Sequence, residues 1–222
     1  MIVLHHCTDA RSFRPLWVLE EMGLPYELRM LPFPPRVAAS SYLSKNPLGT
    51  IPLLEHGDVR MTESAAICQY LVQRHGPTSL DVAPEERGYA AFLNGLHFGE
   101  ATLTFPQKLV LRYRRLEPPE RRLPEVADDY ARWFLSRLRK GLGDLDGGFY
   151  AAGRFTAADV SIGYALLLAT KLGLDAQFTP GVRDYWDRIS DRPAYARSKA
   201  AQEAALISQR VTPTNFGEWA SP

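Results

Sequence analysis

The pattern of hydrophobic residues changes once along the chain, after residue 75, and this change constrains the fold more than any other feature. Before it, short apolar segments alternate with helical patterns and predict the element order βαβαββα. After it, the pattern predicts helices only, over 86–116, 124–142, 157–172, 181–190 and 193–208. We therefore expect an α/β plus all-α protein with an α/β domain over residues 1–76, a linker over 77–86 and an all-helical domain over 87–222.

The first domain is predicted in more detail. Its expected elements are strands over 2–6, 26–31, 51–55 and 59–62 and helices over 13–22, 37–43 and 64–75. The first two strands, joined by a helix, should pair in parallel through a right-handed crossover, and residues 56–58 should form a hairpin turn. In the helical half, Pro106 should kink or divide the first helix, and the tail 212–222 should be extended or loosely packed.

Composition excludes several classes of function. The formal net charge of the 222 residues is only +1, which argues against nucleic-acid or acidic-membrane binding through a general basic surplus. The chain shows no apolar run of the ~18 residues needed for a membrane span, and its start does not resemble a secretory signal. The 2 cysteines form no disulfide framework, and the 5 histidines do not cluster with carboxylates at zinc spacing. We expect a cytoplasmic protein without a bound metal.

The turn 7–12, between the first strand and the first helix, is the first candidate site. A helix start carries unpaired N–H groups and partial positive charge, so it can stabilise a thiolate or another anion. Ser12 could donate a hydrogen bond there, and Arg11 adds a full charge. The simpler interpretation is that Ser12 or Asp9 only caps the helix. Cys7 could be a redox cysteine, but a buried thiol at the end of a strand is the better interpretation.

Two further segments could bind a ligand. Pro52 must lie at a strand start or sheet edge, and a cis bond after Ile51 would leave the N–H and C=O groups of Ile51 free. Glu63 and Ser64 open the third helix, where a hydroxyl and N–H groups could bind a carboxylate and the glutamate an ammonium group. Together this pair would fit an α-amino acid head group, although an ordinary helix cap explains them as well.

The segment 155–160 has a structural interpretation. Thr156 and Asp159 have the spacing of a capping box, and Phe155 and Val160 form the matching hydrophobic staple. The segment should nucleate a buried helix rather than carry chemistry.

In their order along the chain, these segments resemble the cytosolic glutathione S-transferases of bacterial type. The resemblance extends from Met1 to about residue 205 and rests on the segments ARSFRPLWVLEEMGLPYE, NPLGTIPLLE, TESAAICQYLVQRHG and FTAADVSIGYALL. It implies a thioredoxin-like N-terminal domain, a helical C-terminal domain and a homodimer. It further implies glutathione as co-substrate and a small hydrophobic electrophile as its reaction partner.

The resemblance also implies binding roles. Pro52 is similar to the family's cis-proline, Ile51 would contact the cysteinyl part of glutathione, and Glu63 with Ser64 would hold the γ-glutamyl head. Thr50 stands where many relatives carry a lysine, and either Arg36 or Lys45 could take over that role. The second substrate would lie between the domains, beside residues such as Phe105, Leu109 and Tyr113.

The implied catalytic residues are Ser12, as hydrogen-bond donor to the glutathione sulfur, and Arg11, as electrostatic support. Similar proteins often carry a serine where this chain has Ala10, so the position of the hydroxyl differs. The expected reaction is attack of the glutathione thiolate on an electrophilic carbon. Alternatives are glutathione-dependent β-ether cleavage, disulfide reduction through Cys7, or a binding module without catalysis.

Overall fold

A computed structural model describes residues 1–143, 145 and 148–212. The tail predicted over 212–222 falls almost entirely outside the described residues. The regular elements in chain order are β1 (Ile2–His6), α1 (Phe13–Met22), β2 (Tyr26–Met30), α2 (Pro35–Ala38), β3 (Leu53–His56), β4 (Val59–Met61), α3 (Ser64–Arg74), α4 (Tyr89–His97), α5 (Phe105–Leu111), α6 (Pro124–Leu142), α7 (Ala157–Lys171), α8 (Pro180–Ser190) and α9 (Pro193–Gln209).

The four strands form one mixed sheet in the order β2-β1-β3-β4. β1 pairs in parallel with β2 and antiparallel with β3, and β4 closes the antiparallel hairpin. Leu4 lies opposite both Leu28 and Leu54, and every residue of β1 is buried, as expected for a central strand. The parallel first pair, the hairpin and the thioredoxin-like fold class predicted from the sequence are confirmed.

Clustering of contacts divides the chain into two units. The first consists of Met1–Asp81 together with the segment from Asp191 through α9, and the second is Val82–Ser190. Within the first unit, α1 packs against α3 and against α9, and α9 also contacts β2. The last helix, which the sequence pattern groups with the helical domain, therefore packs on the thioredoxin-like unit.

The second unit is built around α7. Its residues from Ala157 through Ala169 are all buried, and it packs against α4, α8 and the helical stretch Phe98–Thr104. The approach is close at Gly99, where an added β-carbon would lie 2.5 Å from the carbonyl carbon of Ser161. A glycine is required there because any side chain would separate the two helices.

The predicted capping box at the start of α7 is confirmed. Thr156 accepts a hydrogen bond from the N–H of Ala158, and the Asp159 carboxylate accepts one from the N–H of Thr156 at 2.8 Å. The same carboxylate also accepts from the N–H of Tyr150 and from the hydroxyl of Tyr185, each at 2.8 Å. Burial raises the pKa of Asp159, although these hydrogen bonds oppose the shift.

The predicted helix over 86–116 is one helical run that changes its hydrogen-bond pattern. π-helical stretches, Phe98–Thr104 and Arg112–Leu116, follow α4 and α5. Pro106 occupies the first turn of α5, directly after the π-helical stretch ends, so the run changes its hydrogen-bond pattern at the place where the sequence predicted a kink or a division. The predicted helix over 37–43 is instead α2 followed by a 3₁₀ turn, Ser40–Ser44. Within the described residues, no helix combines the length and the hydropathy that a membrane span requires.

Candidate active site

The turn 7–12 joins β1 to α1, and hydrogen bonds between its own residues stabilise its conformation. The hydroxyl of Ser12 accepts a hydrogen bond from the N–H of Cys7 at 3.3 Å and lies 3.5 Å from the Cys7 carbonyl oxygen. Ser12 is 0% exposed. The long second distance leaves its proton weakly bound, but burial means that contact with a ligand's sulfur requires the turn to shift. Direct donation from Ser12 to sulfur stays a prediction.

The N–H groups at the start of α1 are largely engaged by the turn itself. Phe13 donates to the carbonyl oxygen of Ala10 at 2.8 Å, and Arg14 donates to that of Arg11 at 3.2 Å. Thr8 and Arg11 are the half-buried residues of the turn, whereas Asp9 and Ala10 are buried. Of the two predicted catalytic residues, Arg11 therefore has the more accessible side chain.

The segment Asn46-Pro47-Leu48-Gly49 folds into a tight turn that leads into β3. The Asn46 carbonyl oxygen accepts from the N–H of Gly49 at 2.9 Å, and its side-chain oxygen accepts from the N–H of Leu48 at 3.2 Å. Gly49 has a φ of 60°, and an added β-carbon would lie 2.7 Å from Cβ of Arg36. Glycine is therefore required by both the backbone and the packing.

Thr50 follows this turn and is exposed, but its carbonyl oxygen is fixed. It accepts hydrogen bonds from the side-chain amide of Asn46 at 2.7 Å and from the hydroxyl of Tyr42 at 2.8 Å. Both donors are buried. They hold the main chain in place immediately before Ile51.

The Ile51–Pro52 peptide bond is cis, and both residues are buried. Ile51 packs in one apolar cluster with Cys7 and Ala10, so the structure brings this segment against the turn. Among the residues that the structure describes, no hydrogen bond uses the N–H or C=O group of Ile51. These two groups could pair with the main chain of an extended peptide.

The first turn of α3 offers donors to an anion. Its first N–H groups have no acceptor inside the helix, and Glu63, which precedes it, makes no capping hydrogen bond. The Ser64 hydroxyl accepts a hydrogen bond from Arg14 Nη1 at 3.1 Å, which leaves its own proton to donate. Glu63 is exposed and Ser64 is 2% exposed. A carboxylate at this helix start and an ammonium group beside Glu63 would both be stabilised.

Because its guanidinium donates to the Ser64 hydroxyl, Arg14 is a candidate site residue, and the sequence pattern did not single it out. Its side chain is 0% exposed, although it lies in the apolar stripe of α1 between Phe13 and Leu16. A positive charge behind Ser64 favours an anion at the start of α3. An arginine within an otherwise buried stripe is the signal that could have identified it.

The residues expected beside the second substrate lie in the second unit. Phe105 and Leu109 are four residues apart on α5, and Tyr113 follows after another four, so the three form a stripe. Phe105 is 47% exposed, whereas Leu109 and Tyr113 are half-buried. Within the second unit, this stripe is therefore only partly covered by neighbouring side chains.

Cys7 and Cys68 are free thiols, and both are 0% exposed. Burial raises the pKa of Cys7, and it raises that of Cys68 to about 12. A thiol with a raised pKa is a poor nucleophile at neutral pH. In the part of the chain that the structure describes, no group of three or more His, Cys, Asp or Glu residues could hold a metal ion.

Comparison with known proteins agrees with this geometry. Residues 1–73 match the family model described as "Glutathione S-transferase, N-terminal domain". Glutathione S-transferase 3 of Schizosaccharomyces pombe is 27% identical over 208 residues, which cover 87% of this chain and 85% of that protein. Among solved structures, the glutathione transferase URE2P5 of Phanerochaete chrysosporium superposes with a TM-score of 0.80 at 22% identity, covering 94% of this chain and 97% of that one. Glutathione transferase URE2P6 of the same organism, in complex with oxidized glutathione, has a TM-score of 0.79 at 25% identity, with coverages of 92% and 97%.

The structure has two units, of which the first carries a thioredoxin-like sheet, a helix start at α3 without a side-chain cap, and a cis-proline segment before β3. Residues 1–73 form a glutathione S-transferase N-terminal domain, and the chain is similar over most of its length to glutathione S-transferases.

Proposed function

We propose that this chain is a glutathione transferase that adds the glutathione thiolate to a small hydrophobic electrophile. The observation that carries the proposal is the start of α3, where Arg14 donates to the Ser64 hydroxyl beside the exposed Glu63. A donor set of this kind fits a group that carries both a carboxylate and an ammonium ion, which is the γ-glutamyl end of glutathione.

The rest of the tripeptide follows from that anchor. Ser64 and the first N–H groups of α3 hold the carboxylate, and Glu63 holds the ammonium group. The N–H and C=O groups of Ile51 pair with the cysteinyl residue, while Pro52 and Thr50 shape that strand. Residues 1–76 thus form the glutathione-binding domain and 77–86 the linker. Of the predicted helical domain 87–222, the helices up to Ser190 supply the electrophile's binding surface, whereas α9 packs on the first unit.

Thiolate formation requires only a modest free energy. A free thiol with a pKa of ~8.5 is about 3% ionised at pH 7. Lowering this pKa to ~6.5 gives about 75% thiolate and needs about 2.7 kcal/mol. A nearby charge and a hydrogen bond to the sulfur, each worth roughly 1–3 kcal/mol, supply this without a metal. Arg11 provides the charge, and Ser12 acts as donor or through the conformation of the turn.

The chemical step is then a substitution or an addition. With a chloronitroarene, the sulfur lone pair forms a C–S bond, and chloride leaves with the electron pair of the broken C–Cl bond. A shift of the thiol pKa by itself raises the thiolate fraction only about 25-fold. Most of the acceleration must come from holding the two substrates together. The stripe formed by Phe105, Leu109 and Tyr113 is the proposed contact for the electrophile.

Arg11→Ala should raise the pKa of bound glutathione by about 1 unit and lower turnover at pH 6.5 by roughly fivefold, in proportion to the lost thiolate. The thiolate absorbance of the enzyme–glutathione complex, titrated between pH 5 and 9, measures the pKa directly. Arg74→Ala, an exposed arginine at the other end of α3, is the matched control and should change neither quantity. A wild-type complex with an unshifted thiol pKa would refute the proposed activation.

The proposal includes a homodimer in the cytoplasm, as expected for this superfamily. Sedimentation equilibrium of the full chain should give twice the mass of the 24.9 kDa protomer. A monomer that retains full transferase activity would contradict this part of the proposal.

The geometry gives no support to disulfide reduction through Cys7. Neither Cys7 nor Cys68 should react with Ellman's reagent in the native protein within minutes, because both thiols are buried and both pKa values are raised. Both should react at once in guanidinium chloride, which serves as the internal control. A fast native reaction that is lost in Cys7→Ala would restore the redox alternative.

A further inference from the structure

The turn 7–12 is held by a second set of contacts that come from the other end of the chain. Gln202 of α9 is 3% exposed and lies against the end of β1. Its Nε2 donates to Asp9 Oδ1 at 2.8 Å, and its Oε1 accepts from the N–H of Asp9 at 3.2 Å. One side-chain amide therefore binds both the carboxylate and the main chain of a single turn residue.

The same amide oxygen also lies 2.9 Å from Nε2 of His6. A carboxylate only accepts hydrogen bonds, so the NH₂ group of Gln202 must face Asp9 and its oxygen must face His6. His6 then carries its proton on Nε2 and donates it. Burial lowers the pKa of His6 to about 4, so at neutral pH the ring is the uncharged donor that this arrangement needs.

Asp9 needs such support because its backbone is in an unfavourable region. Its φ is 50°, a left-handed conformation that residues with a β-carbon rarely adopt, and the residue is 4% exposed. Lys199, one helical turn before Gln202, donates to Asp9 Oδ1 at 2.5 Å. Lys199 and Gln202, which both bind this carboxylate, thus come from α9.

We propose that Gln202 is a positioning residue for thiol activation, since it fixes the conformation in which the turn presents the half-buried Arg11 to glutathione. This inference rests on the proposed function. Gln202 does not touch the substrate; it acts through Asp9. The last helix, which belongs to the thioredoxin-like unit, is then part of the catalytic apparatus rather than only a structural addition.

The chain contains a matched control on the same helix. Gln209 also bridges α9 to the sheet, accepting from the N–H of Met30 at 2.8 Å and donating to the carbonyl oxygen of Leu28 at 2.7 Å. It holds the end of β2 and makes no contact with the turn. Gln209→Ala removes a contact of the same chemistry and similar geometry.

The experiment compares Gln202→Ala with Gln209→Ala in the full chain. Gln202→Ala should lower kcat for glutathione and 1-chloro-2,4-dinitrobenzene by roughly 10- to 100-fold with little change in the KM for glutathione, and should raise the pKa of bound glutathione by about 1 unit. Gln209→Ala should leave kcat and the pKa of bound glutathione unchanged. The melting temperature should fall in both variants, because each loses hydrogen bonds between α9 and the rest of its unit. Similar kinetic effects in both variants would mean that α9 acts only through stability and would overturn the proposal.

The double variant Asp9→Asn with Gln202→Glu provides a rescue. It reverses the polarity of the amide–carboxylate pair while the new carboxylate can still accept from the N–H of residue 9 and from His6. The double variant should recover most of the kcat lost in Gln202→Ala. If its melting temperature equals that of the wild type but kcat stays low, the positioning role of Gln202 is contradicted.

Hydrogen exchange separates this inference from the proposed function. Amides of residues 8–12 should exchange faster in Gln202→Ala than in the wild type or in Gln209→Ala, whether or not glutathione binds. If the wild type binds no glutathione, the proposed function fails regardless of this result. If glutathione binds but the turn amides are unaffected in Gln202→Ala, the positioning role fails alone.

Discussion

Asp159→Ala should lower the free energy of unfolding by about 4 kcal/mol or more. Three donors lose their acceptor at once: the buried N–H of Thr156 and hydroxyl of Tyr185, and the N–H of the half-buried Tyr150. Each unsatisfied buried donor costs about 1–3 kcal/mol, and whole domains are stable by only about 5–15 kcal/mol. Urea denaturation followed by circular dichroism measures the loss.

Two further variants keep this result interpretable. Tyr185→Phe removes one donor and leaves the capping box intact, so it should cost only about 1 kcal/mol. Asp184→Ala, at an exposed position on α8, should stay within about 0.5 kcal/mol of the wild type. If Asp159→Ala is too unstable to purify, a soluble Tyr185→Phe protein with normal activity would agree with the expected order. Equal effects of Asp159→Ala and Asp184→Ala would contradict it.

Sequence reasoning succeeded where structure is determined by neighbouring residues. The capping box depends on Thr156 and Asp159, three positions apart, and the hairpin on the two residues Gly57 and Asp58 between two strands. Apolar spacing along α6 places its buried residues on one face, so its bounds are readable directly from the sequence. These features need no information about distant parts of the chain.

The π-helical stretches show why the helical run was harder to predict. Residues 98–104 and 112–116 have ordinary helical periodicity, and a change from α- to π-type hydrogen bonding leaves no strong compositional mark. Pro106 was expected to kink or divide a continuous helix, and the hydrogen-bond pattern does change immediately before it, between the π-helical stretch and α5.

The candidate site was predicted as separate segments, and the structure adds the contacts that join them. Ser64 was a candidate from its position before a helix, but its hydrogen bond to Arg14 links residues 50 positions apart. The contact of Asp9 with Gln202 spans 193 positions. No pattern of nearby residues encodes such pairs in a single sequence. They become visible only when the sheet and α9 are assembled.

Ser64→Ala should weaken glutathione binding by about 10- to 100-fold, the second large effect that we expect. The variant removes the one hydroxyl that is held as a donor by a buried guanidinium, and a hydrogen bond to a charged group is worth about 1.5–3 kcal/mol. Isothermal titration calorimetry with glutathione measures the dissociation constant. The thiol pKa of the bound tripeptide should change little, since Ser64 holds the γ-glutamyl carboxylate and does not contact the cysteinyl sulfur in the proposed binding mode.

Ser198→Ala is the matched control, because it also deletes a buried serine hydroxyl, one that donates to the Ala194 carbonyl oxygen within α9 at 2.7 Å. It should leave the dissociation constant for glutathione unchanged. Ser64→Thr keeps a hydroxyl at the start of α3 and should retain most of the affinity. A Ser64→Ala protein that binds glutathione as tightly as the wild type would show that the head group lies elsewhere. The proposed roles of Ile51 and Arg11 depend on the head group binding at Ser64. Both roles would then have to be reassigned.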